Sequence, residues 1–224
     1  MMSFISVAID GPAGAGKSTI ARRVAGELGY LYVDTGAIYR TVGLYAKRMG
    51  ADVYSEEAII PLLDQLQITM KVEADGVQHM YLGTEDVTGK IREPEVSMLA
   101  SAVSAHGAVR SFLLDMQRDL AKSQNVLMDG RDIGTVVLPD ATVKIFLTAK
   151  PEVRALRRWK ELREKGAPDT FEQVLEDVIS RDYNDSHRAV APLRQADDAV
   201  LADTSELTLE ESIQLILDII KEKI

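Results

Sequence analysis

The sequence predicts an α/β fold, a five-stranded parallel sheet with helices on both faces, and three observations carry that expectation. An apolar run at 4–9 ends at Asp10, glycines follow at once, and Ile20, Val24, Ala25 and Leu28 then recur at helical spacing, so strand, loop and helix come in order. Four further short apolar runs lie far enough apart in the chain for crossover helices between them. The closing segment, 207–224, has Ile213, Leu217 and Ile220 along one face and acids at its start, as a helix amino terminus prefers. That helix is expected to cover one face of the sheet.

Taken in order, 30–34 reads as the second strand and 37–49 carries apolar residues at helical spacing up to Gly50. Between Gly50 and Ser97 the pattern changes. A helix-like stretch at 55–66 precedes Ile68, Met70 and Val72 in alternation, an Asp75-Gly76 turn, and then Val77, His79 and Tyr81. This is a helix followed by a β-hairpin, expected as an insert beside the core because it contributes no crossover. Buried strands at 126–129, 142–149 and 199–202 complete the sheet. A chain of 224 residues buries one substantial core with room for a small insert or lid, and it contains no internal repeat or low-complexity linker.

Composition removes several classes of function. A net charge of −9 disfavours a nucleic-acid duplex as partner, since phosphate backbones are held by basic surfaces. With no cysteine there is no disulfide, no thiolate-bound zinc and no thiol nucleophile, and the three histidines, His79, His106 and His187, are too scattered to suggest a metal site. They read as structural or surface residues. The amino terminus lacks a basic segment followed by a long apolar stretch, and no run is long enough to cross a bilayer. A soluble, cytoplasmic protein with no membrane partner is expected, and a monomer.

Gly11, Pro12, Ala13, Gly14, Ala15, Gly16, Lys17, Ser18 and Thr19 contain the pattern G-x-x-x-x-G-K-[ST] between a strand and a helix. Such a loop curls so that successive N–H groups face a phosphate, its lysine adds a mobile positive charge, and its hydroxyl suits Mg²⁺ on a nucleotide. The guanine-reading string Asn-Lys-x-Asp is absent, which disfavours a GTP switch. Asp129 either orients Mg²⁺ through water or caps the turn at Asp129-Gly130. A second motif, Asp34-Thr-Gly-Ala-Ile-Tyr-Arg40, stands where the second strand stops and a helix begins. Carboxyl ends of strands in a doubly wound sheet line one crevice, so Thr35 and Arg40 are expected near a second ligand.

The phosphate loop, the Thr-Gly-x-x-x-Arg turn and the arginine-rich stretch late in the chain resemble the nucleoside monophosphate kinases. The strings at 34–40, 129–137 (Asp-Gly-Arg-Asp-Ile-Gly-Thr-Val-Val) and 181–192 (Arg-Asp-Tyr-Asn-Asp-Ser-His-Arg-Ala-Val-Ala-Pro) are similar to those of the bacterial cytidylate kinases, and the likeness spans essentially the entire chain. The resemblance implies ATP-dependent phosphorylation of CMP and dCMP to CDP and dCDP, with Mg²⁺, in a single domain over 1–224. Its parts would be a core (1–34, 107–150 and 189–224), a monophosphate-binding region with its α+β insert (35–106) and a short helical lid (151–188).

Lys17 and Ser18 take their roles from the loop motif itself: Lys17 on the β- and γ-phosphates, Ser18 on the metal. By resemblance, Arg131, Arg181 and Arg188 join Lys17 as the catalytic set, and Thr35, Tyr39 and Arg40 belong with Arg131 and Arg188 on the monophosphate. Ser101, Arg110 and Asp132 align with readers of the cytosine edge, Asp132 accepting from the exocyclic amine. Arg181 and Asp185 align with residues near the sugar hydroxyls. Arg154 and Arg158 would pack on the adenine and reach its phosphates.

Plainer readings stand beside these. An arginine is by default a solvated surface residue. Ser101 sits in an Ala-Ser-Ala-Val helical run, Asp132 suits a loop cap, and Arg181 with Asp185 has the spacing of a helical ion pair. A kinase for UMP, AMP or a small metabolite, or a non-catalytic nucleotide-responsive module, remain as alternative functions.

Overall fold

A computed structural model of the protein describes residues 4–73, 77–164 and 166–224. In chain order the elements are β1 (Ser6–Asp10), α1 (Lys17–Leu28), β2 (Leu31–Asp34), α2 (Thr35–Arg48), α3 (Glu56–Leu63), β3 (Ile68–Val72), β4 (Gln78–Leu82), β5 (Glu85–Asp86), α4 (Pro94–Val103), α5 (Gly107–Ser123), β6 (Val126–Gly130), β7 (Val143–Thr148), α6 (Pro151–Glu164), α7 (Phe171–His187), β8 (Val200–Asp203) and α8 (Leu209–Lys223). A π-helical turn, Ile133–Val137, follows β6. The chain falls into two compact units: residues up to Tyr32 with Ala121–Ile224, and Val33–Leu120.

The first unit is built on the expected five-stranded parallel sheet, ordered β2-β6-β1-β7-β8. β1 is central, with Val7 opposite Leu127 on one side and Val143 on the other. Its buried face and that of its neighbours (Val7, Ile9, Leu127, Ile145, Leu147) pack with Ile20, Val24 and Ala25 of α1 and with Ile213, Ile216, Leu217 and Ile220 of α8. The final helix thus covers the sheet as its periodicity predicts. It opens on a capping box, Thr208 and Glu211 satisfying each other's end of the first turn. Ala155 of α6 joins Val174 and Val178 of α7 in a small core of their own, flanked by Trp159 and Phe171.

The second unit has a separate core in which Ile38 and Val42 of α2 meet Ile59 of α3, Met80 of β4, Val96 and Val103 of α4, and Val109 and Leu113 of α5. α5 therefore belongs with this unit as far as Leu120, where the sequence reading counts it with the core from 107 onwards. The expected hairpin is present as β3 against β4, antiparallel, with Ile68 opposite Leu82 and Val72 opposite Gln78; the expected Asp75-Gly76 turn lies outside the described residues.

Two features of this small sheet differ from expectation. A third strand, β5, pairs with β4 across a tight turn in which Gly83 has φ of 58°. The buried positions of β4 are Gln78 and Met80, whereas the sequence suggests Val77, His79 and Tyr81 as one face. The reason is a hydrogen-bonded pair: the Gln78 amide accepts from the Asp34 peptide N–H at 2.8 Å and donates to its carbonyl at 3.3 Å, so a polar side chain is buried without an orphaned group.

Candidate active site

The phosphate loop fills 11–16 between β1 and α1, and close approach dictates its composition. A Cβ at Gly11 would come within 1.9 Å of the Leu147 carbonyl oxygen on β7. Gly16 caps α1 with φ of 86°, a conformation that costs an L-residue roughly 1 kcal/mol or more. α1 begins at Lys17, so its free N–H groups and positive dipole end face the loop. Lys17 is buried and its ammonium donates to the Pro12 carbonyl at 2.7 Å. Burial, then the neighbouring Arg131 charge, push its pKa well below that of an ordinary lysine. An ammonium so placed gains most from a triphosphate arriving beside it.

Asp129 is a buried residue of β6, not a turn cap. Its carboxylate accepts from the Ser18 hydroxyl at 3.0 Å and from the Tyr32 hydroxyl at 2.9 Å. The arrangement fits a magnesium-nucleotide: Ser18 offers a hard oxygen at the first turn of α1, and the buried acid beside it can accept from a metal-bound water. Asp129 and Ser18 are thereby brought together.

Arg131, Arg181 and Arg188 belong to the same unit. Arg131 donates through Nε to Asp185 at 2.7 Å, both side chains largely buried. Burial pushes the Asp185 carboxyl upward, but the Arg131 charge and hydrogen bond, with the charges of Arg181 and Arg188, outweigh it and hold the group below the usual carboxylate value. The hydrogen-bonded partner of Asp185 is thus Arg131, 54 residues away, while Arg181, one turn before it on α7, acts on it through its charge. Arg188 donates to the Ala191 carbonyl at 2.7 Å and lies 3.5 Å from Asp132. Ala191 sits at φ of 49°, a strained position for alanine that aims its carbonyl at Arg188. Asp132 makes no side-chain cap to the π-turn that it precedes.

Arg154 and Arg158 do not behave as a pair. Arg154 is only 3% exposed and fully engaged: Nε donates to the Ala149 carbonyl at 2.7 Å, one terminal nitrogen to the Ala13 carbonyl of the phosphate loop at 2.9 Å, and both terminal nitrogens to Asp182. It braces the loop against α7. Arg158 is partly exposed and pairs with Glu161.

In the second unit, Asp34 caps α2 by accepting from the Ala37 N–H at 2.9 Å, and Thr35 is buried at the first helical position. The Arg40 guanidinium folds back over the helix start, 3.8 Å from where a Gly36 Cβ would stand. Arg110 is buried on α5, donates to the Tyr39 hydroxyl at 3.0 Å and lies over its ring. Tyr39 and Arg110 are thereby joined. Ser101 lies on α4, partly buried, its carbonyl accepting from the Ser104 hydroxyl.

The histidines hold structure: His79 faces Asp86, His106 bonds the Val53 carbonyl, and His187 stacks on Tyr183. Residues missed from the sequence are Asp10, Tyr32, Gln78 and Asp182. Only Asp10 carries a signal there, as an acid at the strand end immediately before the glycines. No helix among the described residues is long and apolar enough to cross a membrane.

A family model described as "Cytidylate kinase" matches residues 7–222. The cytidylate kinase of Caldicellulosiruptor saccharolyticus is 51% identical over 218 residues, covering 97% of this chain and 96% of that protein. That of Shouchella clausii is 47% identical over 222 residues, covering 99% and 98%. Among solved structures, an uncharacterized protein from Eubacterium ventriosum superposes with a TM-score of 0.51 at 10% identity, covering 97% of this chain and 98% of that one, a likeness of fold alone.

Proposed function

The chain belongs to the cytidylate kinase family, and from that premise we propose that it transfers the γ-phosphoryl group of ATP to CMP and dCMP, forming CDP and dCDP. The observation that carries the reading is the gathering of buried and half-buried cations in the unit that holds the phosphate loop. Lys17 is held by the Pro12 carbonyl, Arg131 by the Asp185 carboxylate and Arg188 by the Ala191 carbonyl. Phosphoryl transfer asks little covalent chemistry of a protein; alignment and charge neutralisation supply most of the rate. The acceptor phosphate is already ionised, so no general base is required.

In this reading the loop N–H groups and Lys17 hold the donor phosphates. Ser18 and Asp129 are the residues that would hold Mg²⁺ and its water, and the ion would supply charge neutralisation to the bound nucleotide. Arg131, Arg181 and Arg188 neutralise charge on the group in flight and on the monophosphate; Asp185 orients Arg131. Thr35, Tyr39 and Arg40 hold the monophosphate, and Ser101 and Arg110 address the cytosine carbonyl and ring nitrogen. Asp132 accepts from the exocyclic amine, where uracil would present a carbonyl oxygen instead. The helix pair 151–188 acts as the lid, with Arg154 securing the phosphate loop rather than stacking on adenine. The protein works as a cytoplasmic monomer that binds neither nucleic acid nor membrane.

The test is an acceptor panel with ATP and Mg²⁺, following ADP formation. CMP and dCMP should turn over well ahead of UMP and AMP. Asp132→Asn should lower kcat/KM for CMP and narrow the CMP:UMP ratio by about tenfold or more, since 1.4 kcal/mol is one decade. A folded variant with an unchanged ratio would show that Asp132 does not read the base.

A further inference from the structure

Asp10 has no part in the chemistry described above, yet it is a buried acid with both carboxylate oxygens engaged. It ends β1 and is peptide-bonded to Gly11, the first glycine of the phosphate loop. Its side chain is 5% exposed and accepts two backbone hydrogen bonds, Ile133 N–H to one oxygen and Gly134 N–H to the other, each at 2.7 Å. Two successive peptide N–H groups aimed at one carboxylate fix both peptide planes. The first of those planes carries the Asp132 carbonyl, and Arg131 is one residue further back. The turn they open is π-helical, closing with Val137 N–H to the Asp132 carbonyl and Leu138 N–H to that of Ile133, a geometry that seldom forms without a local reason.

We propose that Asp10 is the positioning residue for acceptor selection: by gripping the Ile133 and Gly134 peptides it holds Arg131 and Asp132 in fixed register with the phosphate loop that starts at the next residue. The proposal rests on the reading of Asp132 as the base reader and extends it to the group that aims Asp132. A side chain that only filled space or satisfied the two N–H groups would affect all acceptors alike. A side chain that aims Asp132 affects cytosine and uracil unequally. Glycine at 134 is part of the same fit, since a Cβ there would lie 3.4 Å from the Asp10 carboxylate and 3.2 Å from the Lys144 side chain.

The experiment compares Asp10→Asn with the unmutated protein and with Asp132→Asn. Asparagine is isosteric but sets an NH₂ against one of the two peptide N–H groups, so the loop must turn. Asp10→Asn should lower kcat/KM for CMP at least tenfold and narrow the CMP:UMP ratio at least threefold, while the dissociation constant for Mg·ATP stays within about twofold. Equal losses with CMP and UMP overturn the proposal, provided that Asp132→Asn narrows the ratio. An unchanged ratio in Asp132→Asn overturns the underlying reading and the proposal with it.

Should Asp10→Asn fail to fold, the unmutated protein carries the test. Burial pushes the Asp10 carboxyl up to about 6, against the pull of the two peptide N–H groups, with Asp132 and Lys17 as the charges that reach it. The Ile133 and Gly134 amide protons should then shift together with that midpoint, and the CMP:UMP ratio should narrow over the same pH range. The ratio cancels the titration of the acceptor phosphates themselves. Amide shifts that titrate while the ratio stays flat from pH 5.5 to 8, or amides that do not titrate, overturn it.

Discussion

The two units spend charge differently. In the first, Asp10, Lys17, Asp129, Asp132, Arg154 and Asp185 are all buried. In the second, most charge stays in water: Arg48 and Lys90 share Glu85, Lys47 meets Glu95 and His79 meets Asp86, all at or near the surface. Its buried polar groups are mainly neutral, Thr35, Thr41, Gln78 and Gln117, with Arg110 as the exception. Burying ions costs several kcal/mol each unless they are paired and bonded, so a fold retains them where another charge must be met. The buried charges of the first unit are what the proposed reading uses to meet phosphate, whereas the charged pairs of the second lie in water around an apolar core.

The largest way to break this contrast is at the loop. Lys17→Met should lose on the order of 10³-fold in turnover while the fold survives, because the ammonium acts chiefly on charge developing in transfer. Circular dichroism and steady-state rates on the same preparation check it. Near-normal turnover by a folded variant would remove the loop from the chemistry. Next is Asp185→Ala, which leaves the half-buried Arg131 without its hydrogen-bonded carboxylate. Breaking such a pair from one side costs about 3–5 kcal/mol of stability. Misplacing Arg131 should cost about 10²-fold in kcat. Denaturant unfolding and kinetics read the two effects separately.

The buried acid at the end of β1 makes the first unit sensitive to pH. Asp10 is raised from 3.8 to about 6 in the native state. For a carboxyl so raised the native state binds the extra proton between those values, so its contribution to stability is full at low pH and is lost as pH rises through about 6. The loss is about 3 kcal/mol. Asp185, held below the usual value, works with the opposite sign and weakens the fold only as pH falls below the ordinary carboxylate range. Unfolding free energies of the unmutated protein and of Asp10→Asn, measured at several values from pH 4 to 7, should diverge across that window. Parallel curves would mean that Asp10 is not the titrating group. The smallest effect belongs to the second unit: Glu85→Gln removes the acid between Arg48 and Lys90, and both activity and unfolding midpoint should stay within error.

The same contrast explains what the sequence makes legible. The phosphate loop, α1 and α8 are local: their glycines, apolar spacing and caps lie within a few residues of one another, and each forms where the pattern places it. The hairpin is legible for the same reason, but not its third strand, two residues long, nor its buried face. Gln78 reads as polar and exposed until the Asp34 peptide that satisfies it is brought alongside. In the site, the pairs Ser18–Asp129, Arg131–Asp185 and Arg154–Asp182 all join residues far apart in the chain. Helical spacing offers Arg181 as the partner of Asp185, and Arg131 takes its hydrogen bond. Such choices are made by tertiary packing, which periodicity does not encode.

In the proposed reaction a phosphoryl group passes from ATP to a cytidine monophosphate among the cations of the first unit. The most direct measurement follows label from ATP marked in its γ-phosphate, mixed with the protein, Mg²⁺ and CMP, with UMP in a parallel reaction. Label should appear in CDP in step with ADP, with far less in UDP and little in inorganic phosphate. Label that stays in ATP, or that is released as inorganic phosphate whether or not CMP is present, would contradict the account.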